Sequence, residues 1–355
     1  MKRVFACFSD GMGLLLARIC SAMPSVTEVI KLLKNGRLSA REGILSTKDK
    51  FKSLLATNID LGLYHFYRGN ISDAKTRFWL ISIVRPKLPD VYYNIGRCHF
   101  VLRNFDKAAK NFNKALSFDK NNEESKYYLN KMAAPDAILE VPENVIKQHF
   151  NYTSEYFVEH WLVAKNYHGH EYVRSLVMNF FGDRSTELHI LDLGCGTGIC
   201  GQFLKMKGVS AHITGVDISR RMLNIARQCL VNGKQTYNEL VCLSIRDFLQ
   251  TNTKRYDVII LTEVLHYYGD LTKMLSSVSA TLSDGGMIFG LVREGGSKGY
   301  KFVKEGDFFC HSSNYVVKKV EEMGLHLHYM NRCNIYGDKV SGLLFAISNS
   351  HAKQD

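Results

Sequence analysis

The stretch His189-Ile190-Leu191-Asp192-Leu193-Gly194-Cys195-Gly196-Thr197-Gly198 decides the fold of this chain. Apolar residues run up to an acid, glycines then recur at every second position, and Ile199–Met206 continues with helical character. That order describes a strand, a tight turn and a helix. Glycines in the turn let the backbone bend sharply, and they let a ligand lie against main-chain N–H groups near a helix N-terminus. Asp217, nineteen residues after Gly198, ends a second short strand, Ile213-Thr214-Gly215-Val216. A carboxylate at the tip of that strand can accept hydrogen bonds from two ribose hydroxyls together.

Two ligand classes compete for this pattern. Gly196-x-Gly198-x-x-Gly201, with Asp217 21 residues after Gly196, has the form of a dinucleotide fingerprint. Asp192, two residues before the first glycine, points the other way, because a carboxylate repels a pyrophosphate but can hold a charged amino group. The block Leu191–Gly198, taken with Val216-Asp217-Ile218-Ser219-x-x-Met222-Leu223, resembles class I S-adenosylmethionine-dependent methyltransferases. The resemblance implies an α/β fold, a seven-stranded doubly wound Rossmann-like sheet, with S-adenosylmethionine as cofactor. It also implies contacts from Asp192, Gly194, Cys195, Gly196, Gly198, Asp217, Ile218 and Met222. A nicotinamide-dependent oxidoreductase and a non-catalytic scaffold remain as alternatives.

Downstream segments agree with that expectation. Leu240–Ile245 reads as strand three, Tyr256–Leu261 as strand four, and Asp284–Phe289 as a turn and strand five, with Asp284 where the fold usually has Pro. A helix is expected near Leu271–Leu282, and Leu325–Met330 with Val340–Ile347 would form a final antiparallel pair. Alternating strands and helices make a mostly parallel sheet covered on both faces, with ligands at the carboxyl ends of the strands. One position departs from the resemblance. Such enzymes generally carry an acid after strand three to meet the adenine amino group, and Ser244 stands there, followed by Ile245. Ser244 and the Ile245 N–H are expected to serve the base, with Asp247 on a shifted turn as the alternative.

Methyl transfer depends on aligning nucleophile, methyl and sulfur with water excluded. A hydroxyl or ammonium acceptor is helped by a general base. Glu263 and His266 follow strand four at the active edge, Glu263 counted with the cofactor contacts. His266 and His311 are the candidate bases, with a structural or positioning role as the other reading of each. Tyr267 and Tyr268 would wall the acceptor pocket. No clustered ligand spacing points to a metal.

The first half is a different object. Gly62 recurs as Gly96, Asn70 as Asn104, Ala74 as Ala108, Phe78 as Phe112 and Leu61 as Ile95, a period of 34 residues. This resembles the tetratricopeptide repeat. Gly62 and Ala74 would let the paired helices approach, and Phe78 would fill the space towards the next repeat. Pro86 ends repeat one; Lys120 holds the matching slot in repeat two. Residues 123–134 would cap the array before Pro135, and Val26–Leu33 with Asn35-Gly36 would be a degenerate first helix. The domains expected are a poorly defined extension over 1–23, a helical repeat domain over 24–134, a linker over 135–149 and a methyltransferase domain over 150–350. A peptide-binding groove for a protein partner, or a packing module, is the expected role of the repeats.

Together the two halves resemble predicted tetratricopeptide-containing methyltransferases. Phe150-x-Tyr152-x-x-x-Tyr156-Phe157-x-x-His160, Leu265–Leu271 and Cys310-His311-Ser312-x-x-Tyr315-Val316 carry that likeness. In such enzymes the aromatic helix before strand one acts as a lid, which makes Tyr152 a candidate cofactor contact, or else an ordinary packing residue.

Composition bounds the rest. The 355 residues are 46% hydrophobic and 23% charged with 5 Pro, as in a globular chain of two domains. No apolar run approaches the ~18–20 residues of a membrane span, so a soluble chain is expected. Of the net charge of +12, residues 1–150 hold 24 Lys and Arg against 14 Asp and Glu, and the second half is nearly neutral. No nucleic-acid-binding signature accompanies the basic half. The nine cysteines form no C-x-x-C pair and read as reduced thiols, hence a cytoplasmic expectation. Lys2 and Arg3 precede an apolar run that Ser9, Asp10 and Gly11 cut too short for a signal peptide.

Overall fold

The computed structural model describes residues 40–182, 187–296, 298–337 and 340–349. The expected extension over 1–23 and the degenerate helix at Val26–Leu33 lie outside these residues. The chain divides into two compact units, Met1–Asp119 and Lys120–Asp355.

In the first unit, α1 (Ala40–Tyr67) pairs with α2 (Ile71–Val84), and α3 (Pro89–Val101) pairs with α4 (Phe105–Phe118). Pro89 opens α3 at the position where its missing N–H costs nothing. Ala74, Phe78, Ala108 and Phe112 are fully buried. The repeat glycines explain how. A Cβ on Gly62 would lie 2.8 Å from the Phe78 ring, and one on Gly96 would lie 2.6 Å from the Phe112 ring. Each aromatic ring therefore rests on the glycine of its own repeat, sixteen residues back, and not only against the next repeat as the spacing suggested.

The second unit begins with α5 (Glu123–Ala133), capped by Asn122, whose Oδ1 accepts from the Ser125 N–H at 3.0 Å. This is the helix expected to cap the repeats. Here it clusters with the second unit, where the Tyr127 hydroxyl and the Lys131 ammonium both donate to the Asp307 carboxylate. Two further helices, α6 (Glu143–Thr153) and α7 (Gly169–Phe181), precede the sheet.

The sheet has seven strands in the order β10-β11-β7-β6-β1-β2-β5. These are β1 (Leu188–Leu193), β2 (Ala211–Val216), β5 (Glu239–Val241), β6 (Tyr256–Leu261), β7 (Leu282–Arg293), β10 (Leu325–Tyr336) and β11 (Val340–Asn349). The first five pair in parallel, and β11 runs antiparallel to both β7 and β10. Side chains alternate between two cores, as a sheet covered on both faces requires. Ile190, Ile213, Ile260 and Phe289 meet α7 and α8 (Ile199–Met206). Leu191, Val216, Leu261 and Ile288 join residues of α11 (Thr272–Ser279) and α12 (Ser313–Glu322). Two shorter helices, α9 (Arg220–Ala226) and α10 (Ile245–Thr251), follow β2 and β5.

Strand three is shorter than the sequence suggested. It ends at Val241, because the Ser244 hydroxyl accepts from the Asp247 N–H at 3.1 Å and starts α10. Strand five is longer, reaching Arg293. Two hairpins were not expected, β3 (Leu230–Val231) with β4 (Lys234–Gln235), and β8 (Tyr300–Val303) with β9 (Phe308–His311). Among the described residues no helix is long and apolar enough to cross a membrane.

Replacing Gly96 with Val forces two methyl groups into the Phe112 ring. The expected cost is at the upper end of the about 1–3 kcal/mol typical of overpacking, read as an earlier urea transition of the full chain.

Candidate active site

The parallel register of β1 and β2 pairs Leu193 with Val216, so the glycine loop and Asp217 leave the sheet side by side. Asp217 joins them: Oδ2 accepts from the Gly196 N–H at 2.9 Å, and Oδ1 accepts from the Ser219 N–H at 2.7 Å. Gly196 has φ +54°, and a Cβ there would meet nothing within 4 Å. Its open side faces the cleft. Gly194 is also left-handed, and any side chain there would strike Val264 at 2.4 Å.

Around this loop runs one cleft. Its central wall holds Gly194, Gly196, Asp217 and Glu263; one end is lined by Ile218, Met222, Ser244, Ile245 and Tyr268. The other end is lined by Asp192, Cys195, Thr197, Ile199 and Cys200. Ten of the twelve residues expected to touch a cofactor are thus brought together. Gly198 caps α8 in a left-handed conformation and faces the Tyr237 ring rather than the cleft. Tyr152 lies under the Arg221 guanidinium, 4.6 Å from its ring centroid, and does not line the cleft. From the same aromatic stretch, Phe150 and Phe157 do line it.

The electrostatics are acidic. Glu143, Asp192, Asp217 and Glu263 line the cleft, and the cation among them, Arg293, is spoken for by Glu263 at 3.1 Å. Burial pushes the Asp192 carboxyl up to about 6, against the hydrogen bond it accepts from the Tyr237 hydroxyl at 2.7 Å. Burial likewise raises Asp217 to about 6, opposed by its two backbone donors. At Glu263 burial acts upward too, but the Arg293 guanidinium and the Tyr336 hydroxyl, both on Oε2, oppose it, and the carboxyl lies below its usual range. Glu263 sits at φ +56° with Oε1 buried and unpartnered. An orphaned carboxylate oxygen, buried acids and an open glycine floor fit a ligand with a ribose and a positive charge. A pyrophosphate would have to lie against the same acids.

The two histidines differ. His266 lines the cleft, nearly fully buried, with Nδ1 unpartnered. Burial, reinforced by Arg293 and His311 and opposed by Glu263, drops its imidazole to about 3. It is neutral at physiological pH. His311 does not line the cleft: it is fully buried, its Nε2 lies 3.0 Å from the Gly269 carbonyl, and its ring stands between Tyr300 and Tyr315. It contacts the loop after β6 and is not brought to the cleft with His266. Sequence reasoning missed Glu143, Arg293 and Tyr336, because the only signal for each is its position at the edge of an element whose end was misjudged or unassigned.

Residues 191–288 match a family model for a methyltransferase domain, and residues 89–122 match one for a tetratricopeptide repeat. Part of the second unit thus resembles a methyltransferase domain, and the segment before it resembles a tetratricopeptide repeat. The chain is 33% identical over 101 residues to the ubiquinone biosynthesis O-methyltransferase of Thiobacillus denitrificans, covering 28% of this chain and 42% of that protein. It is 31% identical over 138 residues to the protein of the same name from Vibrio vulnificus, covering 38% and 54%. The chain thus spans about half the length of these relatives. Among solved structures it is similar to a magnesium protoporphyrin IX methyltransferase from Synechocystis (TM-score 0.43, 19% identity, 58% of this chain and 96% of that one), a likeness too loose to argue from.

Two outcomes are expected from calorimetry with S-adenosylmethionine. Affinity should be flat from pH 7 to 8 and weaken below about pH 6, by about tenfold per pH unit for each of Asp192 and Asp217 once it protonates. Asp217→Ala should lose about ten- to a hundredfold in affinity, the worth of hydrogen bonds to a charged acceptor. Gly196→Val, a β-branched residue at positive φ with its side chain in the cleft, should show no measurable binding.

Proposed function

We propose that the second unit transfers a methyl group from S-adenosylmethionine to an oxygen of a small aromatic acceptor, and that the repeats serve protein interaction. The observation that carries the reading is a continuation of the cleft. Beyond the cofactor end it opens into a chamber of about 820 Å³, with Phe150, His266, Tyr267, Arg293 and Tyr336 in both walls. Tyr156 and Phe308 add further rings, and the Arg293 guanidinium lies 4.1 Å from the Phe308 ring centroid. Aromatic walls beside a methyl donor suit a planar acceptor. The O-methyltransferases matched above support oxygen as the receiving atom. Exposed Trp79, Ile83 and Phe105 on the first unit support an interaction role for the repeats.

When bound, the cofactor supplies a methyl group made electrophilic by its sulfonium. The chain's own residues do the rest. Asp217 holds the ribose hydroxyls, while Asp192 and the free Glu263 Oε1 attract the positive charge of the amino acid end. Phe150 and Phe157 keep water from the transfer line. His266, neutral and with Nδ1 free, accepts a hydrogen bond from the acceptor hydroxyl and aims its oxygen. With an imidazole near 3 it orients the hydroxyl better than it removes the proton.

Incubating the full chain with methyl-labelled S-adenosylmethionine and cell lysate should place label in small aromatic compounds. Label confined to protein would overturn the small-acceptor reading. His266→Ala should lower kcat about a hundredfold, the cost of a misplaced acceptor, with S-adenosylhomocysteine affinity within about twofold, and the wild-type rate profile should show no limb near pH 6.5 from this residue.

A further inference from the structure

Past Asp217 the cleft is lined by Ile146, Ile218, Met222, Ile245 and Tyr268, an apolar set suited to a flat base. Beside the Tyr268 hydroxyl, the polar side chains lining this end are Ser244 and Glu143. Ser244 is committed elsewhere. Its oxygen caps α10 by accepting from the Asp247 N–H, and its hydroxyl also interacts with the Glu143 carboxyl. Asp247, the other acid near this turn, lies in the first turn of α10 and is not part of the cleft wall.

Glu143 is well placed. It is the first residue of α6, where the helix dipole favours an anion. Ile146 and Phe150, three and seven residues further on, line the same cleft, so one face of α6 forms this wall. The helix is tied to the sheet edge by Ser219, whose hydroxyl donates to Asn151 Oδ1 at 2.8 Å. Burial raises the Glu143 carboxyl above its usual range, opposed by the Ser244 hydroxyl and by Arg246, whose Nε lies 4.0 Å from Glu143 Oε1 while its Nη2 pairs with Glu140 at 2.9 Å. A carboxylate has lone pairs for further donors after Ser244 and Arg246 are counted.

Resting on the cofactor reading above, we infer that Glu143 accepts a hydrogen bond from the 6-amino group of the adenine, so that the helix before the sheet supplies the acid missing after strand three. Covalent connectivity requires this order: the ribose held by Asp217 carries the base towards the apolar end, and the 6-amino group is the exocyclic donor of that base. Glu143 then sets specificity for a 6-aminopurine.

The test is a cycle of two proteins and two ligands, read by calorimetry at pH 7.5 on the full chain. The ligands are S-adenosylhomocysteine and its analogue with unsubstituted purine in place of adenine. Wild type should bind the analogue about tenfold more weakly, the worth of a hydrogen bond to a charged acceptor. Glu143→Ala should bind S-adenosylhomocysteine about tenfold more weakly and discriminate less than twofold. Glu143→Gln, which keeps a carbonyl acceptor, should recover part of the discrimination. Equal affinity of wild type for the two ligands overturns the inference, a result that needs no variant to fold. So does equal discrimination by wild type and Glu143→Ala. In both cases tight S-adenosylhomocysteine binding would leave the cofactor reading standing, whereas its failure to bind wild type would remove both.

Discussion

A hydrogen bond from the Gly196 N–H to Asp217 Oδ2, beside those from the Gly194 and Cys195 N–H groups to the Val216 carbonyl, joins the loop after β1 to the tip of β2, and the cleft depends on this junction. The bond is possible because β1 and β2 pair in parallel without a register shift from Leu188–Ala211 to Leu193–Val216. One residue of slippage would turn the apolar strand faces inside out and carry the loop away from the carboxylate. Core packing on both sheet faces therefore holds the geometry of the ligand loop. The loop itself needs left-handed backbone at Gly194 and Gly196, which glycine adopts at little cost.

The charge arrangement follows from that geometry. Asp192 and Asp217 stand at the ends of neighbouring buried strands, so both lose water, and both are raised by burial. Acids held so deep are costly unless something positive or hydrogen-bonding meets them. Protein donors meet them in part: Tyr237 for Asp192, backbone N–H groups for Asp217. Glu263 has Arg293 and Tyr336 on one oxygen and nothing on the other. The site is thus tuned to a cationic partner by incomplete satisfaction of its acids, and the same feature makes it hostile to phosphate.

The helix before the sheet shows why some site residues were legible and others were not. Phe150 and Tyr152 are two positions apart, about 200° around a helix. With Glu143, Ile146 and Phe150 facing the cleft, Tyr152 must turn away, and it lies against Arg221. The aromatic stretch was visible in the sequence, but its phase was set by how α6 docks. His311 is a similar case. Its motif was visible, yet the unforeseen β8–β9 hairpin places it behind the Gly269 carbonyl and not in the cleft. Ser244 does line the cleft, but its short side chain is engaged as the cap of α10.

Local pattern determined the class of this protein. The apolar strand, alternating glycines and second acid dictated the β1-loop-α8-β2 unit. The 34-residue recurrence of small and aromatic residues dictated the repeats, because each of these features acts within one supersecondary unit. Tertiary structure alone decided which residues from distant elements meet there. Glu143 and Phe150 come from a helix before the sheet, Arg293 and Tyr336 from its strands β7 and β10, and no spacing in the sequence encodes their approach. Their positions depend on how helices settle on the twisted sheet, a property of the packed whole.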